Sequence, residues 1–231
     1  MRRLLVLLVL LLPATQAVAQ LTGNLALLSD NRYRGVSLSD RKPALQADIA
    51  YDHTSGLYAG AVVSTVRIEG ADSRLSEEGY AGFAYPLSRH VSFDTGAARL
   101  FYPYSELHGS YDYSEVYAGV SVDNVHVRLH YSDRYYGRDV EAWYGEINSS
   151  LRLTDALSLI AHIGYLGRYG QSAYPGSPPS SQWDGKLGLA TEFLGLTWEL
   201  SVVGTDVPDD RCGSSSRACA PGVVLAISRS F

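Results

Sequence analysis

Beyond Ala19 the sequence has no long apolar run, and its mean hydropathy is only −0.05. That excludes a helical membrane protein, because each helical crossing needs about 20 consecutive apolar residues. Cysteine occurs twice and methionine once in 231 residues. No Gly-x-Ser-x-Gly elbow, His-Glu-x-x-His metal motif or Gly-rich phosphate loop is present, so the common local signatures of esterases, zinc proteases and nucleotide enzymes are missing. A basic face for nucleic acid is also lacking: the formal net charge is −5. No stretch has the composition of a linker, and the length suits one domain.

Tyrosine (17) and glycine (22) are plentiful instead. A transmembrane β-barrel reconciles near-zero hydropathy with abundant tyrosine. Its lipid face is apolar, its lumen is polar, and aromatic residues girdle both interfaces. A soluble sandwich could share this composition, so the decision falls to patterning.

The N-terminus has the form of a cleavable export signal. Arg2 and Arg3 form a basic start, Leu4 to Leu12 an apolar core, and Ala17-Val18-Ala19 a small-residue cleavage site. Residues 1–19 are therefore expected to be removed and residues 20–231 to form the barrel. The mature chain then carries 17 basic and 24 acidic residues, a net charge of −7.

Apolar and polar residues alternate in segment after segment. Val125-His126-Val127-Arg128-Leu129-His130-Tyr131-Ser132 splits completely between two faces, and Leu196-Thr197-Trp198-Glu199-Leu200-Ser201-Val202 does the same. This two-residue period belongs to a strand with one apolar face. About twelve such segments can be marked, at 21–30, 44–53, 57–68, 77–87, 91–102, 113–122, 125–132, 140–154, 157–169, 183–194, 196–206 and 222–231. Ten or fourteen strands are the alternatives.

The connections alternate in length. Short turns fall at Thr54-Ser55-Gly56, Ser88-Arg89-His90, Asp123-Asn124, Asp155-Ala156 and Gly195, and longer polar loops near 31–43, 69–76, 103–112, 133–139, 170–182 and 207–221. Short periplasmic turns and longer extracellular loops are the habit of bacterial outer-membrane barrels. The fold expected is all-β: a closed antiparallel transmembrane barrel, since a backbone in lipid must satisfy its own hydrogen bonds. The last segment ends on Phe231, the terminal aromatic expected to serve as the assembly signal, and only Arg229 interrupts its apolar face. A long side chain there can snorkel toward the headgroups.

Gly23 to Gln46, with Asn31-Arg32-Tyr33-Arg34-Gly35 at its centre, resembles the opening of the TorF porin family. The similarity continues through Glu115-Val116-Tyr117-Ala118-Gly119-Val120-Ser121, Asp184-Gly185-Lys186-Leu187-Gly188, the Cys212 and Cys219 loop and the closing strand. It spans essentially the whole mature chain. The resemblance implies an outer-membrane barrel with a transport role. It carries no established substrate and no catalytic residues.

With Val127 and Leu129 facing lipid, the inward face of the strands collects Asp48, Asp52, Glu78, Asp94, Glu115, Glu146, Asp184, Glu192 and Glu199, against Arg128, Arg152, Arg168 and Lys186. These are the expected pore-lining residues. So many charges imply an interior that is wet or internally paired. Arg32 and Arg34 are expected to fold into the mouth and pair with lumen carboxylates as a constriction, with Gly35 allowing the bend. The competing placement turns both arginines outward toward anionic lipopolysaccharide.

Other constellations are weaker. His126, His130 and His162 share the inward face with Ser158, Glu146 and Glu199, which would serve a barrel hydrolase or simply line a wet lumen. His126 and His130 cannot share one metal ion, since four residues along a strand span about 13 Å. Cys212 and Cys219 read as a local disulfide in an exported loop, with a redox or metal role as the alternative. Asp206, Asp209 and Asp210 could hold a divalent cation or form a solvated acidic loop.

The function expected is a narrow, cation-leaning channel in the bacterial outer membrane for small polar solutes or ions, not an enzyme, with no cofactor, metal or nucleic-acid partner. Outer-membrane lipid, lipopolysaccharide and the barrel-assembly machinery are the expected partners. A non-conducting structural or adhesive barrel is the alternative, and a barrel hydrolase comes third.

Overall fold

The computed structural model describes residues 20–67, 74–103, 111–170, 180–212 and 217–231. The proposed export segment, residues 1–19, lies outside them, as do 68–73, 104–110, 171–179 and 213–216.

The described residues form fourteen strands: β1 (Gln20–Leu28), β2 (Arg32–Tyr33), β3 (Val36–Ser37), β4 (Ala44–Asp52), β5 (Leu57–Thr65), β6 (Leu75–Pro86), β7 (Val91–Phe101), β8 (Tyr113–Val122), β9 (Val125–Ser132), β10 (Val140–Arg152), β11 (Leu157–Gly170), β12 (Ser181–Phe193), β13 (Leu196–Thr205) and β14 (Gly222–Ser230). Twelve close into one antiparallel barrel, in the order β1-β14-β13-β12-β11-β10-β9-β8-β7-β6-β5-β4. Every one of these corresponds to a segment of alternating polarity in the sequence, with ends displaced by a few residues at most. The closed ladder leaves no sheet edge to hydrogen-bond with lipid.

β2 and β3 are additional. They pair only with each other, Arg32 opposite Ser37 and Tyr33 opposite Val36, inside the segment that alternation alone marks as a loop. Arg34 and Gly35 connect them with φ of 49° and 79°. Positive φ at both central residues defines the tight hairpin turn whose twist matches paired strands. Gly35 adopts this freely, whereas Arg34 bears a steric cost of roughly 1–2 kcal/mol. Something must hold Arg34 there.

The seam of the barrel lies between β1 and β14, from Asn24 opposite Ser230 to Leu28 opposite Ala226. Beyond the last strand residue, Gly23 and Phe231 each donate a backbone N–H to the other's carbonyl, both at 3.0 Å. The Phe231 ring lies over Gly23, where an added Cβ would meet ring carbons at 2.6 Å. The terminal aromatic thus covers a glycine on the first strand.

Outward positions are apolar and exposed: Leu21, Leu45, Ile49, Leu57, Val127, Leu129, Leu187 and Val223 all stand in the open. Aromatic residues bracket this belt. Tyr51, Phe83, Tyr85, Phe193 and Phe231 ring the end that carries the short turns, while Phe101, Tyr131, Trp143, Tyr165 and Trp183 ring the other. An exposed apolar surface of this extent would aggregate in water. In lipid it is the low-energy surface, and the barrel is an integral protein of the bacterial outer membrane.

Candidate functional site

Because side chains alternate, the lipid-facing set decides the lumen-facing set. The strands place Asp48 and Asp52 (β4), Glu78 (β6), Asp94 (β7), Glu115 (β8), Arg128 (β9), Glu146 and Arg152 (β10), Arg168 (β11), Asp184, Lys186 and Glu192 (β12) and Glu199 (β13) at inward positions. Asp52, Arg152 and Glu192 lie at the exposed rim near the short turns. The others look into the barrel, where the structure brings most of them into contact.

The β2–β3 hairpin crosses the mouth of the barrel and puts Arg34 at its tip. One Arg34 terminal nitrogen (Nη2) donates to both Glu115 oxygens, at 2.7 and 2.8 Å, with the two side chains 5% and 4% exposed. The guanidinium lies 4.0 Å from the centre of the Tyr144 ring and 4.9 Å from that of Tyr33. Cation–π contact and a charge-assisted pair together hold the left-handed Arg34 backbone. Gln182 Nε2 donates to the Arg34 carbonyl at 3.2 Å, so β12 fastens the same tip.

Arg32 behaves differently. Its Nε donates to Asp30 of its own segment at 2.7 Å. Its Nη1 reaches the carbonyls of Gly35 (3.1 Å), Ala220 (3.0 Å) and Val203 (3.4 Å). Pairing with a barrel carboxylate was the expectation for both arginines. Only Arg34 makes such a pair, because Asp30, two residues away, takes Arg32 first. Asp30 is itself fixed by the hydroxyls of Ser37 (2.6 Å) and Ser39 (3.2 Å).

Tyrosines complete the mouth. Tyr113 and Tyr135 are buried with Leu100, Ala142, Tyr144 and Leu166, and Tyr33 and Tyr136 pack on this cluster. The short 3₁₀ turn Tyr135–Gly137 carries two of these rings inward. Burial pushes the Tyr33 and Tyr136 phenols well above their ordinary values, so they face Arg34 as neutral rings. Sequence reasoning passed over this cluster. The available signal was Tyr113, Glu115 and Tyr117 on the same inward parity, with a Tyr135-Tyr136 pair in the next long loop.

From Glu115 a chain of alternating carboxylates and imidazoles follows five consecutive strands. His130 on β9 places Nδ1 3.3 Å from Glu115 and Nε2 3.2 Å from Glu146 on β10. His162 on β11 lies 3.8 Å from Glu146 through Nδ1 and 2.7 Å from Asp184 on β12 through Nε2. Asn148 and Tyr144 also contact His162, at 2.7 and 3.2 Å. His162 is hydrogen-bonded on both nitrogens, whereas His130 bonds Glu146 through Nε2 and its Nδ1 only lies near Glu115. Ser158 sits at the start of β11 opposite Arg152, away from this chain, so the hydrolase constellation is not assembled. His126 contacts Ser121 at 2.7 Å in an exposed position. Arg128 pairs with Asp94 at 2.8 Å and Lys186 with Glu199 at 3.0 Å.

Glycines let the lumen tyrosines lie flat on the wall. Tyr144 packs over Gly164 on the next strand, Tyr80 over Gly60, Tyr58 over Gly82 and Tyr117 over Gly96. In each case a Cβ on the glycine would occupy the phenol's place.

Beneath the hairpin is a cavity of about 550 Å³, bounded by Arg34, Glu115, Tyr144, Glu146, His162 and Asp184 on one side and by Tyr58, Glu78 and Tyr80 on the other. A second, of about 70 Å³, lies between the hairpin and the β5–β7 wall. At the last long loop, Cys212 and Cys219 form a disulfide with Cα atoms 5.6 Å apart. Asp206 accepts the Trp183 N–H at 2.7 Å. Asp210 is exposed, and the Asp209 side chain lies outside the described set.

The family described as "Bacterial protein of unknown function (Gcw_chp)" matches residues 14–231. The chain belongs to that family. No curated protein sequence matches it. Solved structures with the same fold include the KdgM porin, 12% identical with a TM-score of 0.55 over 91% of this chain and 99% of that one. The NanC porin is 10% identical, with a TM-score of 0.56 over 90% and 98%. The KdgM porin in complex with disordered oligogalacturonate gives 10% identity and a TM-score of 0.52 over 93% and 98%. At these identities the likeness is one of fold: an outer-membrane porin barrel.

Proposed function

We propose that this barrel is a narrow channel for passive diffusion of small polar solutes or ions, with a preference for cations. The carrying observation is the 550 Å³ cavity inside a closed barrel, walled by ionisable side chains instead of packed apolar ones. A barrel that only had to fill its interior would use side chains without charge, since each buried charge needs a partner. Resemblance to the TorF porins and the shared porin fold support the same reading.

Lumen charge supports the cation preference. Asp48, Asp52, Glu78, Asp94, Glu115, Glu146, Asp184 and Glu199 outnumber Arg32, Arg34, Arg128, Arg168 and Lys186, and a low-dielectric wall strengthens their field on an ion in transit. An acidic oligosaccharide such as that in the KdgM complex meets repulsion here, so small cations and neutral polar solutes are the expected cargo. Arg34 on Glu115 pins the hairpin that narrows the mouth, and Arg32 fixes that hairpin to β13 and the last loop. Lipid and lipopolysaccharide meet the outer surface, and the assembly machinery engages the Phe231 strand.

The tyrosine cluster and the Arg34 pair favour a second reading, a sealed structural barrel. Planar-bilayer recordings on refolded, heat-modifiable protein decide between them. Discrete conductance with a cation-directed reversal potential in a salt gradient is the expected result. Stable insertion without current selects the sealed barrel, and an anion-directed potential overturns the cation preference.

A further inference from the structure

The two cavities share three residues: Arg32, Tyr33 and Glu78 line both. The upper cavity touches Asn31 and Leu38 of the inward segment and Val62, Ser64, Leu100 and Tyr102 of the wall. The lower one opens past Tyr58 and Tyr80 toward the short-turn end. These three residues stand where the two cavities adjoin, and a neck joining them would run past all three.

Their states differ. Arg32 bonds Asp30 and three carbonyls through Nε and Nη1, while its buried Nη2 has no hydrogen-bond partner among the described residues. The Tyr33 hydroxyl accepts from Tyr113 at 2.9 Å. The Glu78 carboxylate makes no hydrogen bond or ion pair with any described residue, unlike Asp94, Glu115, Glu146, Asp184 and Glu199, each of which faces a base or an imidazole. The β8–β12 wall therefore engages its own carboxylates through Arg34 and the histidine chain, whereas Glu78 on the β6 wall has no such partner among the described residues.

We propose that Glu78 is the selectivity point of the channel, a carboxylate at the neck that takes one monovalent positive group at a time, either an inorganic cation or the ammonium group of a small solute. This rests on the channel reading above and adds where the path runs: along the β5–β7 wall, not through the Arg34–Glu115 contact. The phenol rings of Tyr33 above and Tyr80 below suit a desolvating cation, which an aromatic face attracts. At about 70 Å³ the upper cavity has room for a few waters around such a group, so the neck also sieves by size.

The test compares wild type, Glu78→Gln, Glu78→Asp and Asp52→Asn in planar bilayers, with heat-modifiable mobility confirming a folded barrel for each. Potassium chloride and methylammonium chloride gradients form the two arms. Removing one charge at the neck is expected to shift the cation-to-anion permeability ratio toward anions by about three-fold or more, because a single carboxylate acts strongly at contact distance. Glu78→Asp retains the preference, and Asp52→Asn, at the exposed rim near the short turns, moves the ratio by a smaller factor. A larger effect in the methylammonium arm assigns the neck to ammonium solutes; equal effects assign it to inorganic cations. Current with an unchanged ratio in folded Glu78→Gln overturns the assignment of Glu78 alone. Absence of current from inserted wild-type protein overturns the channel reading and this assignment with it.

Discussion

Arg34 and Glu115 stand 81 residues apart in the sequence, and one guanidinium nitrogen bonds both oxygens of the carboxylate, at 2.7 and 2.8 Å. The pair fixes a hairpin from the first long loop against the wall of the eighth strand, inside the barrel mouth. Arg34 carries a left-handed backbone to reach it. A strained residue held by a buried ion pair is the arrangement expected of a built constriction.

Replacing Arg34 with Ala leaves Glu115 buried beside neutral phenols and His130. Breaking a buried pair costs on the order of 3–5 kcal/mol. Unpinned, the hairpin should leave the mouth, so single-channel conductance should rise and the folded form should convert to the unfolded one at a lower temperature on gels. Arg34→Lys should fall between, since an ammonium lacks the planar fork that stacks on Tyr144. Unchanged conductance in a folded Arg34→Ala barrel would remove the constriction role.

Deleting Phe231 should impair assembly without altering the properties of whatever barrel forms. The deletion removes two backbone bonds to Gly23 and the ring that covers it. Gly23→Val should act the same way from the other side of the seam, because its side chain needs the volume the ring occupies. Membrane fractions that contain normal amounts of heat-modifiable protein for both variants would contradict this.

Reduction of Cys212–Cys219, or Cys→Ser at both positions, should leave insertion and conductance intact. The bridge spans a sequence separation of 7, and closing so short a loop stabilises by about 2–3 kcal/mol at most, confined to the loop. Protease nicking of the last loop should increase while the barrel resists. Free thiols found by mass spectrometry in protein isolated under oxidising conditions would refute the bridge.

Gly164→Val should displace Tyr144 from the lumen wall and, through it, loosen Arg34 and His162, which both rest on that phenol ring or hydroxyl. Loss of thermal resistance comparable to Arg34→Ala is expected. Gly145→Val offers the control, since that glycine faces outward and its Cβ would meet only Leu129, at 3.8 Å. Equal behaviour of the two valine variants would show that the tyrosine does not bear on the site.

Much of the barrel was legible in the chain. Val125 to Ser132 alternates without fault because lipid and lumen make opposite demands on neighbouring residues, and that demand is local. The same parity put Glu115, Glu146 and Asp184 inside before any strand was paired. The alternation of short and long connections placed both ends of the chain on one side of the barrel.

What alternation cannot carry is which inward residues meet. The Glu115–His130–Glu146–His162–Asp184 chain depends on the stagger between five strands, a property of closure that no single strand records. The course of the segment around Arg34 is likewise invisible to periodicity, since two-residue strands are too short to show a period. Asp30 lies beside Arg32 in the sequence, yet its capture of that side chain required Ser37 and Ser39 to be folded around it. The sequence by itself determined a barrel with an acidic lumen, because side-chain parity follows from the backbone alone. Tertiary structure decided which carboxylates are paired and that Glu78 makes no hydrogen bond or ion pair with any described residue, because pairing depends on distances across the lumen that only closure sets.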